Sequence, residues 1–386
     1  MFDMHKDPRQ MRVAYVSSVD PRNRLAWSGS HYSIFTALQK NFAVVDVLGP
    51  CQPGPAIFFG KAKHFFAKMV GKRYDFRRCK AVSKAYAKYF DGRLAKGNYD
   101  LIVAPAASAE VARLKTKVPI VYISDATLKA SLNYHKALSD LTESSLKESL
   151  ETERMALEKS ALLSFTTPWA ANSAIEGFGI DRSKVKVIPF GANFEEEPKR
   201  EEVVPKKKSV LCKLLFVGVQ WENKGGAIAV NALKELLNQG IEAHLTVCGC
   251  VPPPEFAHEK ITVIPFLNKS IKSERERLYQ LYADATFLIL PTRFEAYGLV
   301  FCEASAYGLP SLATRTGGVP GVITEGENGF LFDPADQGQG YAQKIIELWK
   351  DQTKYQELSA SSRHLYEEKL NWNAWANSLL RALKNI

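Results

Sequence analysis

The sequence predicts an α/β protein built from two doubly wound parallel sheets. Strand-like and helix-like segments alternate along the chain, which is typical of parallel sheets covered by helices on both faces. The series starts twice, at 11–18 and at 213–219, each time with an apolar run that precedes a glycine-bearing loop. A chain of 386 residues is also too long for one compact core and suits two domains of ordinary size.

The boundary between the domains is predicted from a polar stretch. Residues 191–210 hold five acidic residues, five basic residues and two prolines with little apolar content, which is typical of a solvated linker. We therefore predict a disordered leader over 1–10, an N-terminal domain over 11–195, a linker over 196–210, a C-terminal domain over 211–370 and a final helical segment over 371–386.

The elements of the first half follow from local hydrophobic patterns. Short apolar runs predict strands near 11–18, 43–48, 100–104, 119–123, 162–166 and 185–188. Helical patterns cover about 30–40, a long basic region over 60–96, and about 138–160.

In the second half the same reasoning predicts strands near 213–219, 243–248, 261–264, 286–290 and 310–313. Helices are predicted near 224–239, 337–350, 354–369 and 371–384. A further helix must begin close to Gly298 and stop at Gly308, because Pro310 cannot continue it.

Composition excludes several classes of protein. A hydrophobic content of 46% excludes a disordered chain, and no apolar run reaches the roughly 18 residues of a membrane span. The first ten residues are polar and lack the apolar core of a secretory signal, so we expect a cytoplasmic protein. Six scattered cysteines favour reduced thiols over a zinc site, since Cys248 and Cys250 have no second ligand pair.

Residues 283–332 carry the clearest chemical signal. Gly298 at the mouth of a helix lets backbone approach a ligand, and the unpaired N–H groups of the helix start form a phosphate seat. Glu295 and Glu303 flank that start at a spacing of eight positions. Carboxylates only accept hydrogen bonds and suit pairs of sugar hydroxyls. A phosphate seat beside two such groups indicates a nucleotide sugar.

The same segment resembles the donor-binding E-x7-E region of the family-4 retaining glycosyltransferases. The likeness includes, in order, the strand at 286–290, P-T-R-F-E-A-Y-G-L-V-F-C-E-A, the G-L-P that follows, the T-G-G-V-P loop and the N-G-F-L-F strand. Residues 166–193 resemble the end of the family's N-terminal domain. The resemblance extends over most of 11–370 and is weakest over 50–96 and 130–160.

This resemblance implies the GT-B fold, with two Rossmann-like domains facing a cleft and a C-terminal helix that returns to the N-terminal domain. It implies a metal-independent, retaining hexosyltransferase that needs no cofactor. Such an enzyme moves a sugar from a nucleotide-sugar donor to an acceptor hydroxyl in glycan, polysaccharide or glycolipid biosynthesis. Two alternatives stay open: a catalytically impaired partner protein that only binds nucleotide sugars, and a relative with other chemistry, such as a sugar phosphorylase or epimerase.

The resemblance also assigns roles to residues of the C-terminal half. Glu303 is expected to hold the ribose hydroxyls, and Glu295 is expected to address the donor sugar as a catalytic residue. No metal ligand is expected. The other expected donor contacts are Tyr297, Gly298, Leu299 and Val300 through their backbone, and Phe266 and Leu267 near the base.

The loop V-G-V-Q-W-E-N-K-G-G predicts a diphosphate contact. Lys224 sits at a helix start, where a cation is unfavourable unless an anion is present. With Gly225 it indicates phosphate binding, and the alternative is a solvated surface lysine. Family-4 enzymes usually carry an arginine directly after V-G, where this chain has Val219. Arg293 or Lys269 is expected to compensate in part.

Two loops of the N-terminal half complete the predicted site. Ser28 and Gly29 lie where family members have a glycine-bearing loop whose backbone faces the donor phosphate and the acceptor. His31 is either a phosphate or acceptor contact or a solvated side chain. The resemblance places Ser124 and Asp125 where many members have His-Asp. Asp125 is a candidate to accept a hydrogen bond from the acceptor hydroxyl, or else it caps the next helix.

The formal net charge of +10 is concentrated in one region. Residues 57–97 contain twelve Lys and Arg against two Asp, interleaved with large apolar side chains: Phe58, Phe59, Phe65, Phe66, Met69 and Phe76. This pattern predicts binding to an anionic membrane surface, with a peripheral position at the inner face of a membrane. The alternative is a helix whose aromatic residues pack on its own domain. Nucleic acid is not expected as a partner, because no readout module is present.

Overall fold

Two six-stranded sheets, both entirely parallel, form the framework of the computed structural model, which describes residues 7–206 and 209–384. The chain divides into two units that each contain one sheet. The first comprises the residues up to Pro189 together with those from Trp375, and the second runs from Phe190 to Ala374. The predicted α/β class with two doubly wound sheets is confirmed.

The first unit has the strand order β2-β1-β3-β4-β5-β6. Its strands are β1 (Arg12–Tyr15), β2 (Val44–Val47), β3 (Leu101–Pro105), β4 (Ile120–Ser124), β5 (Leu162–Phe165) and β6 (Val185–Val187). Its helices are α1 (Ser30–Asn41), α2 (Pro55–Met69), α3 (Lys80–Leu94), α4 (Ser108–Val111), α5 (Leu128–Ser131), α6 (Glu143–Lys159) and α7 (Pro168–Phe178). β3, β4 and β5 are buried along their whole length, as expected of strands covered on both faces.

The second unit has the strand order β12-β11-β10-β7-β8-β9. Its strands are β7 (Cys212–Val217), β8 (Ala243–Cys248), β9 (Ile261–Ile264), β10 (Phe287–Leu290), β11 (Ser311–Thr314) and β12 (Gly329–Phe332). Its helices are α8 (Arg200–Val203), α9 (Gly226–Asn238), α10 (Lys272–Asp284), α11 (Leu299–Ala306), α12 (Gln339–Lys350) and α13 (Gln352–Glu368). The last helix, α14 (Trp372–Leu383), begins in this unit and continues in the first.

Local sequence explains where the longer helices begin. The Thr142 hydroxyl accepts a hydrogen bond from Ser145 N and so caps α6. The Thr167 hydroxyl caps α7 in the same way, with Pro168 at the first helical position, where a missing N–H costs nothing. α7 ends at Gly179, whose φ of 72° is left-handed.

Several predicted boundaries are wrong. The units divide after Pro189 rather than after residue 195. The stretch 196–210 is not a solvated linker, because it contains α8 and the buried Lys206. Residues 207 and 208 lie outside the described part of the chain. Within the predicted leader, Pro8–Gln10 forms a short 3-10 helix. Residues 1–6 of that leader also lie outside the described part of the chain.

The basic region 60–96 is two helices rather than one continuous helical stretch. α2 starts earlier than predicted, at Pro55, and ends at Met69. α3 begins only at Lys80. Gly71, with a φ of 68°, lies in the intervening segment. Its left-handed backbone explains why the helical pattern is interrupted there.

Candidate functional site

The candidate site of the second unit lies where β7 and β10 end. These neighbouring strands are parallel, with Phe287 opposite Leu214, so the loops that follow them leave the same edge of the sheet. Hydrogen bonds tie the two loops together. Arg293 N donates to the Asn223 carbonyl at 2.7 Å, and the Thr292 hydroxyl lies 3.1 Å from the same oxygen. The strand order thus brings together two loops that are distant in sequence.

One glycine lets these loops approach each other, and two glycines precede the helices that follow them. Gly225 has a φ of 72°, and a Cβ there would lie 2.0 Å from the Pro291 carbonyl oxygen. Gly298 has a φ of 96° and directly precedes α11, close to the predicted helix start. Gly225 precedes α9 in the same way. Each helix start presents backbone N–H groups without an intrahelical partner, which are suited to an anion.

Lys224 and Glu295 meet at this edge. Lys224 Nζ lies 2.5 Å from Glu295 Oε2, and the two side chains are only 20% and 15% exposed. Lys224 is therefore not the solvated surface lysine of the alternative interpretation. The structure brings the predicted diphosphate-binding cation and the predicted sugar-binding carboxylate into one ion pair.

Glu303 is held by two donors. It is 2% exposed, its Oε1 pairs with Lys269 Nζ, and its Oε2 accepts a hydrogen bond of 2.9 Å from the Tyr282 hydroxyl. Burial, and then the neighbouring Glu303 charge, raise the pKa of Tyr282 well above its usual range, so the phenol stays protonated and donates. Lys269 is thus the ion-pair partner of Glu303, as Lys224 is of Glu295.

Tyr282 was missed by the sequence analysis, which assigned α10 no bounds. It lies on the buried side of this helix, together with Leu278. The helical spacing of these two residues is the signal that would have placed Tyr282 in the interior. Its contact with Glu303 depends on how α10 packs and is not visible in the sequence.

The other predicted donor contacts differ in accessibility. The Tyr297 side chain is buried, and its hydroxyl donates to the Phe190 carbonyl at 2.7 Å. Tyr297 therefore packs the second unit, and only its backbone is available to a ligand. Leu299 and Val300 are partly exposed. Of the pair expected near the base, Phe266 is exposed and Leu267 is buried.

In the first unit, the loop after β1 has an unusual backbone. Trp27 and Ser28 have φ values of 49° and 54°, and Gly29 follows at 90°. Positive φ is uncommon for residues other than glycine and marks a conformation that the surroundings enforce. Trp27 Nε1 donates to Asp125 Oδ2 at 3.1 Å, which ties this loop to the one after β4.

Asp125 does not cap the next helix. The cap of α5 is Thr127, whose hydroxyl accepts a hydrogen bond from Ala130 N. The capping alternative for Asp125 is therefore wrong. Ser124, where many family members have histidine, donates its hydroxyl to the Ala126 carbonyl at 2.8 Å and so shapes the turn.

His31 is buried rather than solvated. Its Nδ1 shares a hydrogen bond of 2.7 Å with the Tyr15 hydroxyl. Burial lowers the pKa of His31 to about 4, so the imidazole is neutral near pH 7. A neutral ring offers a phosphate no positive charge. The ring can act on a ligand only through a hydrogen bond.

Glu110 is a second residue that the sequence analysis missed. It is buried in α4, directly after β3, and its Oε1 accepts a hydrogen bond of 3.3 Å from Ser18 N. Burial raises the pKa of the Glu110 carboxyl. The available signal was that Glu110 is the single ionisable residue in the apolar stretch 101–112, which ends a strand at the ligand-binding edge.

The described residues also bear on metal, membrane and disulfide chemistry. Within 7–206 and 209–384, no group of three or more His, Cys, Asp or Glu side chains is arranged to hold a metal ion. In the same part of the chain, no helix has both the length and the apolar character needed to cross a membrane. All six cysteines are free thiols.

Comparison with known proteins finds similar glycosyltransferases. Residues 212–351 match the model of a family described as glycosyl transferases group 1. The D-inositol 3-phosphate glycosyltransferase of Corynebacterium diphtheriae is 26% identical over 281 residues, which are 68% of this chain and 64% of the relative. The match thus spans less than two thirds of that relative's length.

Solved structures share the architecture of the whole chain. The sucrose-phosphate synthase from Thermosynechococcus elongatus superposes with a TM-score of 0.69 at 19% identity, covering 96% of this chain and 97% of that one. Anabaena HepE in complex with UDP and glucose gives a TM-score of 0.61 at 14% identity, covering 98% and 100%. At these identities the likeness concerns the fold.

Proposed function

We propose that this chain, whose residues 212–351 match the model of the group 1 glycosyl transferases, transfers a hexose from a nucleotide sugar to an acceptor hydroxyl with retention of anomeric configuration. The observation that carries the proposal is the Lys224–Glu295 pair between the starts of α9 and α11. An ammonium and two helix starts suit a diphosphate, and the adjacent carboxylate suits sugar hydroxyls.

The reaction exchanges one bond for another at the anomeric carbon. The acceptor oxygen forms a bond to that carbon, the bond to the diphosphate oxygen breaks, and the acceptor proton passes to the departing diphosphate. Lys224 and the N–H groups near Gly225 and Gly298 stabilise the charge that develops on the leaving group. Glu295 orients the sugar so that the acceptor attacks from the leaving-group side.

Glu303 has a binding role in this proposal. Its two oxygens already accept from Lys269 and Tyr282, and a carboxylate has further lone pairs for the ribose hydroxyls. Because Lys269 and Tyr282 hold the carboxylate in place, little side-chain entropy is lost when a nucleotide binds. The resemblance and this geometry support the same assignment.

The acceptor is assigned to the first unit. Asp125, held by Trp27, is a hydrogen-bond acceptor at the carboxyl edge of the sheet, where ligands bind in such folds. The buried Glu110 lies in α4, directly after the neighbouring strand β3. Both carboxyl groups suit an acceptor that presents several hydroxyls.

One observation favours a second candidate function. Val219, which stands where family-4 enzymes usually have arginine, is 63% exposed, so the position could accommodate a long cation but carries none. A protein that binds nucleotide sugars without transferring them is consistent with this loss. Measurable donor hydrolysis or transfer would rule this candidate out.

The test is a thermal-shift screen of UDP-, GDP- and ADP-sugars, followed by transfer and hydrolysis assays with the donor that binds. A ligand at 100 times its Kd stabilises the folded state by about 2.7 kcal/mol, which raises the melting temperature by several degrees. No shift with any donor would contradict the proposal.

Glu295→Gln tests the catalytic assignment. We expect kcat to fall by roughly 10²–10³ because the lost charge orients the reacting sugar, while affinity for the nucleoside diphosphate does not fall, since Lys224 loses a competing carboxylate. Glu325→Gln, on the exposed loop before β12, serves as the control and should keep the wild-type rate. A Glu295→Gln enzyme with an ordinary rate would overturn the role of this carboxylate.

A further inference from the structure

The outer face of α2 and the residue after it carry large apolar side chains that the fold leaves uncovered. Each is 64–72% exposed: Phe58, Phe59, Phe65, Phe66, Met69 and Val70. Contiguous exposed apolar surface of this kind marks an interaction site. The alternative in which the aromatic residues pack on their own domain is wrong for the four phenylalanines of α2 and correct for Phe76, which packs against the core of the first unit.

Helical spacing places this apolar face opposite the face that packs on the first unit. Gly60 and Ala67, seven positions apart, are the buried residues of α2. A Cβ at Gly60 would lie 2.7 Å from Phe76 Cβ, so the helix approaches its unit closely there. At 3.6 residues per turn, Phe58 and Phe65 stand about half a turn away from Gly60 and Ala67.

Polar contacts fix this orientation. His64 Nδ1 lies 2.8 Å from the Tyr74 carbonyl oxygen, and Lys63 Nζ lies 3.5 Å from Glu148 Oε1. The His64 and Phe76 rings also pack edge to face with centroids 5.8 Å apart. The inner side of α2 is therefore engaged, and the aromatic side chains are held facing outward.

The charges beside the apolar face have one sign. Lys61 and Lys68, again seven positions apart, are exposed along one flank of α2. Between Pro55 and Tyr74 the sequence contains five Lys or Arg and no acidic residue. A protein partner matched to this face would need both an apolar and an acidic surface. An anionic bilayer presents phosphates above hydrocarbon and meets both requirements at once.

We propose that α2 docks on the surface of an anionic lipid bilayer. The phenylalanines and Met69 enter the boundary between headgroups and acyl chains, and Lys61 and Lys68 contact the phosphates. The helix lies in the plane of the interface because its opposite side is committed to the first unit. This role is separate from sugar transfer and does not depend on the identity of the donor.

Vesicle flotation tests the proposal. The whole protein is mixed with vesicles of phosphatidylcholine alone or of phosphatidylcholine with about 30% phosphatidylglycerol, at low and at high salt. We expect the protein to float with the anionic vesicles and to remain behind with neutral ones. The bound fraction should fall at least about fivefold in high salt, because screening weakens the lysine contacts.

Two pairs of variants separate the apolar and the electrostatic contributions. Phe58→Gln/Phe65→Gln removes two of the aromatic rings that are proposed to insert into the bilayer. Lys61→Glu/Lys68→Glu reverses the charge of the two side chains that are proposed to contact the phosphates. Each should lower the vesicle partition coefficient by about tenfold or more. The matched controls are Val187→Gln/Val251→Gln for exposed apolar residues and Lys234→Glu/Lys350→Glu for exposed helical lysines, and both should bind as the wild type does.

Three outcomes would overturn the proposal. Wild-type protein that ignores anionic vesicles contradicts it directly. Equal loss of binding in Lys234→Glu/Lys350→Glu would show that only net charge matters. A dimer in solution that Phe58→Gln/Phe65→Gln dissociates, without vesicle binding by the wild type, would assign α2 to a second copy of the chain. A circular-dichroism spectrum and a melting temperature that match those of the wild type confirm that each variant is folded.

Discussion

At the scale of single residues, Tyr282 determines how a buried carboxylate is presented. Its hydroxyl donates to one oxygen of Glu303, while Lys269 pairs with the other. A buried carboxylate without such donors would be costly. Tyr282 therefore positions the Glu303 carboxylate, and under the proposed function it acts on the nucleotide only through Glu303.

Replacing Tyr282 by phenylalanine tests this role. We expect Tyr282→Phe to lose about 1–2 kcal/mol of stability, since it removes a hydrogen bond to a charged group. Affinity for a nucleoside diphosphate should fall about five- to tenfold, because Glu303 is less well fixed. Urea unfolding and calorimetric titration measure the two effects.

Tyr355→Phe is the matched control for that variant. Tyr355 is also buried, and its hydroxyl donates to the Thr286 carbonyl at 3.0 Å, with no contact to Glu303. It should lose comparable stability and keep the wild-type affinity. Equal losses of affinity in both variants would show that Tyr282 acts only through general stability.

His31 makes the first unit sensitive to acid. Its pKa is about 4 in the folded state because of burial, against about 6.5 in an unfolded chain. Below pH 6.5 the His31 imidazole is protonated in the unfolded state but remains neutral in the folded state. Stability is therefore lost as the pH falls from 6.5 towards 4. Glu153, whose pKa burial raises from 4.5 to about 7, has the opposite effect on stability. Its contribution to the stability of the folded state is lost as the pH rises towards 7.

We predict that His31→Asn flattens the pH dependence of stability. Between pH 7 and pH 5 the wild type should lose about 2 kcal/mol through this residue, and the variant should not. Urea unfolding at both pH values measures the difference. His364→Asn, on an exposed position of α13, is the control and should keep the wild-type slope, with Glu153 unchanged in both variants. A wild-type slope in His31→Asn would contradict the assignment.

At the scale of elements, the site depends on two loops that a single glycine allows to meet. Gly225 combines a left-handed backbone with a close approach to Pro291. Gly240, at the end of α9, has nearly the same φ of 74°, but a Cβ placed there would have no neighbouring atom within 4 Å. The two positions therefore separate the cost of backbone strain from the cost of a clash.

Gly225→Ala and Gly240→Ala form the test. Gly240→Ala should cost about 1–2 kcal/mol, the penalty for a left-handed L-residue. Gly225→Ala should cost several kcal/mol more, because the new methyl group must displace the Pro291 backbone. Nucleoside diphosphate affinity should fall more than about tenfold in Gly225→Ala only. Similar effects in both variants would show that the close approach is unimportant.

Sequence patterns predicted most elements because each pattern is local. The apolar runs that form β7 and β10, and the glycine before α11, are visible without any knowledge of the fold. The pairing of β7 with β10 is not visible, since it depends on the strand order of the whole sheet. The same limit explains why Lys224 and Glu295 were named separately and their ion pair was not predicted.

At the scale of the whole molecule, Lys224, Glu295 and Glu303 all belong to the second unit. We predict that a nucleoside diphosphate at about 100 times its Kd slows hydrogen exchange of the β7 and β10 amides. The free energy of opening that this exchange measures should rise by about 2.7 kcal/mol. The β3 and β4 amides of the first unit should be slowed less. Equal protection of both sheets would show that the two units unfold as one cooperative structure.

The domain boundary was misplaced because charge density was used to find it. Phe190 lies before the charged stretch and already packs with Tyr297 and Trp372 of the second unit. Within that stretch, the buried Lys206 donates from Nζ to the carbonyls of Tyr282 and Ala283 at the end of α10. Burial lowers the pKa of Lys206 to about 8. Composition reports how many charges a segment has, but not whether the fold uses one of them internally.

The pairing of Lys224 with Glu295 has a consequence for selectivity among cellular anions. A small ion such as chloride can reach the ammonium only by competing with a carboxylate already in place, and it has no hydrogen-bond donor to offer that carboxylate. A sugar joined to a pyrophosphate supplies an anion to one partner and hydroxyl donors to the other. Under the proposed function, the Lys224–Glu295 pair therefore excludes simple anions such as chloride and opens for a molecule that compensates both charges together.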